Sequence, residues 1–231
     1  MKPFRFQQFS IQQNKNVFRV GTDGVLLGAM CTVLHAQKIL EVGTGTGLIS
    51  LMLAQRNSRS NILAIDFSAD AVELAHLNFK NSIFSERLKV ELMDFKKFSS
   101  QEKFELIVSN PPFFEENTSV KDVLARQKIE LEFDDLIKKA SENLSEKGVF
   151  SVIIPSFCAE EFIRLAQSFK LNLIRKIDIF GIEGGVLKRN ILEFSYEQKQ
   201  IEVLDFVIEK SPRKYSDQYL NLTKDFHVFG K

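Results

Sequence analysis

The sequence predicts an α/β domain: a mostly parallel sheet, helices on both faces, and antiparallel strands at its C-terminal edge. Three observations carry this. Between residues 38 and 169, short β-rich runs alternate with helical patterns, the order that βαβ units produce. Several runs, such as Ile62-Leu63-Ala64-Ile65 and Leu106-Ile107-Val108, are apolar throughout, which suits strands buried on both faces. After Phe169 the alternation stops, and three β-rich runs follow one another with no helix between them.

In chain order, strands are expected at 38–42, 61–66, 87–94, 104–109 and 148–154, with helices at 48–56, 69–81, 133–144 and 159–169. Ser68 stands where an N-cap is wanted. Runs 171–180, 187–196 and 201–208 form the expected antiparallel edge, joined by hairpin-like turns at 181–185 and 197–200. A helical stretch at 216–225 closes the chain, and the polar gap 115–122 is a candidate mobile loop.

The 231 residues fit one domain of the usual ~100–250 residues. Its expected parts are a basic arm and lead-in helix (1–37), a core (38–196) and a C-terminal extension (197–231). The longest apolar run, 25–34, is about half of the ~20 residues that cross a bilayer. The first residues lack the apolar stretch of an export signal. Cys31 and Cys158 are far apart in apolar surroundings, and His35, His76 and His227 are scattered. Neither a zinc site nor a disulfide framework is expected, so the expectation is a cytoplasmic protein without metal.

Net charge is +1 and names no partner. Residues 1–20, however, carry Lys2, Arg5, Lys15 and Arg19 and no acid. Such an arm can hold a polyanion or stand as a solvated tail.

The first strand runs into Glu41-Val42-Gly43-Thr44-Gly45-Thr46-Gly47. Glycines let backbone turn tightly and approach a ligand, and the helix that follows offers free N–H groups to an anion. A dinucleotide fingerprint would need glycine at position 48, which is Leu48. The pattern E-x-G-x-G-x-G instead resembles the first motif of class I methyltransferases that use S-adenosylmethionine (SAM). Asp66 ends the second strand, where an acid can hold ribose hydroxyls. Asp94 ends the third, where a carboxylate can accept from an adenine amino group. Phe67 and Phe95 follow those acids and could sandwich the adenine.

The fourth strand runs into Asn110-Pro111-Pro112-Phe113, then Phe114. It should lie beside the first strand, facing the glycine loop across the crevice where open α/β sheets bind ligands. This tetrad resembles the (D/N/S)-P-P-(Y/F/W) motif of methyltransferases acting on planar amino nitrogens: adenine N6, guanine N2, cytosine N4 or a glutamine amide. Such a nitrogen is a poor nucleophile with two N–H donors. The Asn110 side chain and the Pro111 carbonyl can accept both, the prolines stiffen the loop, and Phe113 can stack a flipped base.

Further segments narrow the resemblance: Phe4-Arg5-Phe6-Gln7-Gln8-Phe9, the stretch Val20-Gly21-Thr22-Asp23-Gly24, Leu187-Lys188-Arg189, and Tyr215-Ser216-Asp217-Gln218-Tyr219. With the glycine loop and the tetrad, the chain resembles the bacterial tRNA1(Val) (adenine(37)-N6)-methyltransferase family over its whole length. The resemblance implies a Rossmann-like class I methyltransferase fold with a mostly parallel seven-stranded sheet. It also implies SAM as cofactor and a valine tRNA as partner, acted on by a monomer. Thr22 and Asp23 would then lie beside SAM, with Glu41 and the loop gripping its methionine end. Arg126 would meet substrate phosphate, and Lys188 and Arg189 touch RNA or stay solvated. The alternatives within the motif class are a release-factor glutamine methyltransferase and an rRNA guanine-N2 methyltransferase.

Overall fold

The structure, a computed structural model, describes residues 2–111 and 123–228, with backbone alone for 123–132. The chain opens with a short antiparallel hairpin, β1 (Phe4–Arg5) and β2 (Ser10–Ile11), and helix α1 (Thr22–Met30). Next come β3 (Lys38–Val42), α2 (Leu48–Arg56), β4 (Asn61–Asp66), α3 (Ala69–Lys80), β5 (Leu88–Leu92) and β6 (Phe104–Ser109). The remainder is α4 (Val123–Asn143), β7 (Leu144–Pro155), α5 (Ala159–Ser168), β8 (Asn172–Ile182), β9 (Leu187–Ser195), β10 (Glu202–Ser211), β11 (Lys214–Tyr215) and α6 (Asp217–Thr223).

The main sheet has the order β11-β10-β8-β9-β7-β6-β3-β4-β5. Strands β5, β4, β3, β6 and β7 are parallel, and β9 is antiparallel to both of its neighbours, β7 and β8. These seven strands are the expected sheet, but the full sheet has nine. Strand β10, the run expected at 201–208, and the two-residue β11 extend it beyond β8. The expected turn at 197–200 is not a hairpin. Both edges of β9 are taken, so the chain crosses to the free edge of β8, and β10 pairs there in parallel. The 181–185 turn does close a hairpin, with Gly184 at φ 69 and Gly185 N–H donating to Ile182 O (2.9 Å).

Alternation along the strands divides the core into two layers. Ile39, Leu106 and Val108 pack with α1, α2 and the N-terminal segment. Leu40, Ile107 and Phe150 pack with α4 and α5 through Ile137, Ala140 and Phe162. Ser68 caps α3 as expected, accepting from Ala71 N–H (3.4 Å).

The N-terminal segment is neither a free arm nor a solvated tail. Phe6 and Phe9 are buried and stacked at 4.6 Å, and Gln7 N–H donates to Phe226 O (2.8 Å). Further on, Asn78 of α3 ties it down. The Asn78 Oδ1 accepts from Gln12 N–H (2.7 Å), and its Nδ2 donates to Gln12 O (3.2 Å) and Thr46 O (2.8 Å).

Helix α1 is anchored at its C-terminal end by cations on its last carbonyls. Arg56 donates to Gly28 O (2.9 Å) and Arg175 to Met30 O (2.8 Å). Glu193, on β9 and 1% exposed, accepts from Thr32 N–H and Thr32 Oγ1 (2.7 Å each) and from Ser151 Oγ (3.2 Å), with Arg175 3.6 Å away. A buried carboxylate is tolerated when it is this well partnered. Removing it leaves the two Thr32 donors without an acceptor and Arg175 with only Glu202 (2.9 Å) as a carboxylate partner, so Glu193→Ala is expected to lower the unfolding free energy by about 3 kcal/mol. Urea unfolding measures this, and an unchanged midpoint would contradict the anchoring role.

Candidate active site

The glycine loop leaves the C-terminal end of β3. Gly43, Gly45 and Gly47 all have positive φ (75, 54 and 80), a region costly for residues with a Cβ. At Gly47 space also forbids a side chain, because an added Cβ would meet the Phe79 ring at 2.5 Å. At Gly43 an added Cβ would meet nothing within 4 Å, so the loop is open on that side. Gly47 leads into α2 with no side-chain cap, which leaves the helix N-terminus to an anionic group.

Two acids hold this loop. Glu41 is 1% exposed. Its Oε2 accepts from Thr44 Oγ1 (2.8 Å), Ser50 N–H (3.0 Å) and the Ser50 hydroxyl. Its Oε1 is buried with no hydrogen-bond partner. Burial pushes the carboxyl up to about 7; the Ser50 and Thr44 bonds pull it down, and the Asp66 charge adds to the push. Asp66 ends β4. Its Oδ2 accepts from Gly45 N–H (2.9 Å) and its Oδ1 from Ser68 N–H (3.0 Å).

Asp94 stands two residues beyond β5 rather than within it, and its Oδ1 accepts from Lys96 N–H (3.0 Å), starting a short 3-10 turn. Strand ends β4 and β5 are laced by Met93 N–H to Asp66 O (2.9 Å). The two rings expected around an adenine differ in setting. Phe67 is 77% exposed, whereas Phe95 lies against Phe98 with centroids 5.9 Å apart.

Asn110 follows β6, which pairs with β3 in parallel register, Ser109 opposite Val42. Ser109 Oγ donates to Val42 O (3.0 Å) and locks these two strand ends together. Asn110 is half-buried, and among the described residues its side chain has no hydrogen-bond partner. The first turn of α1 closes the crevice. An added Cβ on Gly24 would lie 3.2 Å from Leu48 Cδ2 and 4.0 Å from Asn110 Nδ2. Thr22 is exposed at the start of that turn. Asp23 is already engaged, its Oδ2 receiving Arg189 Nε at 3.0 Å. Arg189, expected to touch RNA, thus bridges β9 to α1, while Lys188 is exposed.

Pro111 is half-buried. Pro112, Phe113 and Phe114, and the side chain of Arg126, lie outside the described residues. The four N-terminal cations are all exposed but are split. Lys15 and Arg19 flank Val17, whose Cγ1 lies 3.8 Å from where a Gly45 Cβ would stand. Lys2 and Arg5 lie at the start of the hairpin, whose turn residue Phe9 packs 6.5 Å from Phe84, ahead of β5. Burial pushes the thiols of Cys31 and Cys158 up to about 12 and about 11, out of range for a nucleophile. Residues missed by sequence reasoning are Ser50, Ser109 and Asn78. Only Asn78 left a signal, as a polar residue on the apolar face shared by Leu74, Ala75 and Phe79.

Residues 11–179 match the family described as Methyltransferase small domain. A tRNA1(Val) (adenine(37)-N6)-methyltransferase from Flavobacteriaceae bacterium (strain 3519-10) is 54% identical over 99% of this chain and 100% of its own length. One of the same name from Phocaeicola vulgatus is 42% identical, over 97% of each chain. The chain belongs to this methyltransferase family. Among solved structures, protein Atu636 from Agrobacterium tumefaciens, described as a predicted O-methyltransferase, aligns with TM-score 0.71 and 18% identity over 88% of this chain and 96% of its own. A methyltransferase from Pyrococcus furiosus aligns with TM-score 0.63 and 16% identity, over 82% and 90%. Those two likenesses establish the class I methyltransferase fold.

In family terms Glu41 is the first residue of the loop motif, and its burial has a measurable sign. Unfolded, it ionises near pH 4.5; folded, it keeps its proton to about 7. Between these values the folded state binds more protons, so stability falls as pH rises, and the full cost stands above the folded value. Glu41→Gln escapes this fall. Wild-type unfolding free energy minus that of the variant should drop by about 2 to 3 kcal/mol between about pH 5 and 8. Urea unfolding of both proteins at the two pH values reads it; a constant difference would contradict the buried, neutral carboxyl.

Proposed function

We propose that this chain transfers a methyl group from SAM to the exocyclic N6 of adenine 37 in tRNA1(Val). The observation that carries the reading is the pairing of β6 with β3, which sets Asn110 and Pro111 beside the glycine loop. The relatives that share the chain's full length name the base and the tRNA.

The residues present fit SAM: an open loop at Gly43, an uncapped helix N-terminus, and acids at the end of β4 and just beyond β5. SAM, when bound, supplies an electrophilic methyl group. The loop of Gly43, Thr44, Gly45, Thr46 and Gly47 would hold it, with Asp66, Asp94, Phe67, Phe95, Thr22 and Asp23. Glu41 acts through Thr44 and Ser50, so it positions the loop.

Asn110 Oδ1 and the Pro111 carbonyl accept the two N–H donors of the adenine amino group. That holds the nitrogen and turns its lone pair out of conjugation with the ring, a positioning effect. No strong base is needed, because the alkylated nitrogen carries positive charge and releases its proton to water. Phe113 would stack the extruded base. Lys2, Arg5, Lys15, Arg19, Phe114, Arg126, Lys188 and Arg189 would meet the RNA. The reading places the enzyme with tRNA in the cytoplasm, acting as a monomer.

Methyl-labelled SAM and unmodified tRNA1(Val) should yield labelled N6-methyladenosine on digestion. Label in N2-methylguanosine, or only in protein, would overturn the reading. Asn110→Ala should lower kcat at least about 100-fold with SAM affinity nearly unchanged, since it removes positioning alone. Asp66→Ala should weaken SAM binding by about tenfold or more, the worth of a charge-assisted hydrogen bond. An active Asn110→Ala enzyme would exclude this mechanism.

A further inference from the structure

Phe18 has no role in the fold. It is 85% exposed, more than any other large apolar side chain among the described residues. Its segment is nevertheless built. Asn14 Oδ1 accepts from Asn16 N–H (3.0 Å) and Val17 N–H (2.9 Å), and Gln13 Oε1 accepts from Val20 N–H (3.2 Å). Val17 turns inward and packs with Ala71 and Leu74 of α3, against the glycine loop. A shallow hollow of about 260 Å³ is lined by Lys15, Asn16, Val17, Phe18 and Arg19. Among the described residues neither Lys15 nor Arg19 has an ion-pair partner. Within six residues the chain reaches Gly24, beside Asn110. An exposed ring between two free cations therefore stands next to Val17, the residue that packs on the glycine loop.

An aromatic face flanked by cations suits single-stranded RNA, whose splayed bases stack on rings while cations follow the phosphates. A protein partner would find no acid among residues 1–20 and one isolated ring. We infer that Phe18 is a base-stacking residue: it holds a nucleotide next to the target adenine, with Lys15 and Arg19 on the flanking phosphates. This rests on the proposed RNA substrate and adds a residue that positions it.

The test uses the full chain and an anticodon stem-loop RNA of tRNA1(Val). Phe18→Ala should raise the RNA KM about tenfold, with kcat and SAM affinity within about twofold and the melting temperature unchanged. Phe18→Trp should restore the KM. The chain has no tryptophan, so this variant carries a single one that can be excited selectively, and stacking should quench it when RNA is added. Leu34→Trp, on the exposed link before β3, should not be quenched. An unchanged RNA KM in Phe18→Ala, or no quenching in Phe18→Trp, overturns the inference while the wild-type reaction stands. Weakened SAM binding in Phe18→Ala assigns the ring to the cofactor and also overturns it. A wild-type protein that methylates no tRNA overturns the inference together with the proposed function.

Discussion

Everything at this crevice depends on keeping a left-handed glycine loop in place. Three glycines at positive φ permit the shape but do not enforce it, because glycine is also the most freely moving residue in an unfolded chain. The enforcing contacts come from Asp66, which takes the Gly45 amide, and from Glu41, which takes Thr44 and Ser50. One acid lies on each of two paired strands, so the sheet itself sets the span between the clamps. The arrangement is costly at Glu41, whose carboxyl is buried and half-satisfied. A catalyst that works by positioning needs that rigidity before its ligands arrive.

The rest of the molecule is arranged around this clamp. Ser109 fastens β6 to β3, so Asn110 keeps a constant relation to the loop. Asn78 ties the N-terminal segment to Thr46, and Val17 then packs over the loop. Helix α1 is fixed by Glu193 and two arginines at its far end, which leaves its first turn to close the crevice against Asn110. The Asp23–Arg189 pair joins that turn to the antiparallel side of the sheet. Positive charge remains free where RNA would lie, at Lys15 and Arg19.

Much of the core was legible in the residues. Continuous apolar runs and the βα alternation locate β3, β4, β6, α2 and α3 to within a residue or two, because those segments bury both faces or one clear stripe. The glycine motif and the Asn-Pro pair were legible because backbone geometry restricts which residues can occupy them. What could not be read was long-range. The direction of β10 depends on which edge of β8 is free, a property of the assembled sheet. Asp94 read as a strand end, but its short side chain starts a turn instead. The four N-terminal cations form one group in sequence, but Phe6 and Phe9 anchor the first pair and Val17 the second against different parts of the core. Asp23 and Arg189 lie 166 residues apart, and only the fold brings them together as an ion pair between α1 and β9.

The most direct test of the account uses two anticodon stem-loops of tRNA1(Val), one with adenine at position 37 and one with purine riboside there, which lacks only the amino group. Both are incubated with methyl-labelled SAM and excess enzyme. The account predicts one methyl group per adenine-37 RNA and none on the purine-37 RNA, which should still bind. Equal labelling of the two would contradict it, since the accepting nitrogen would then lie elsewhere in the RNA.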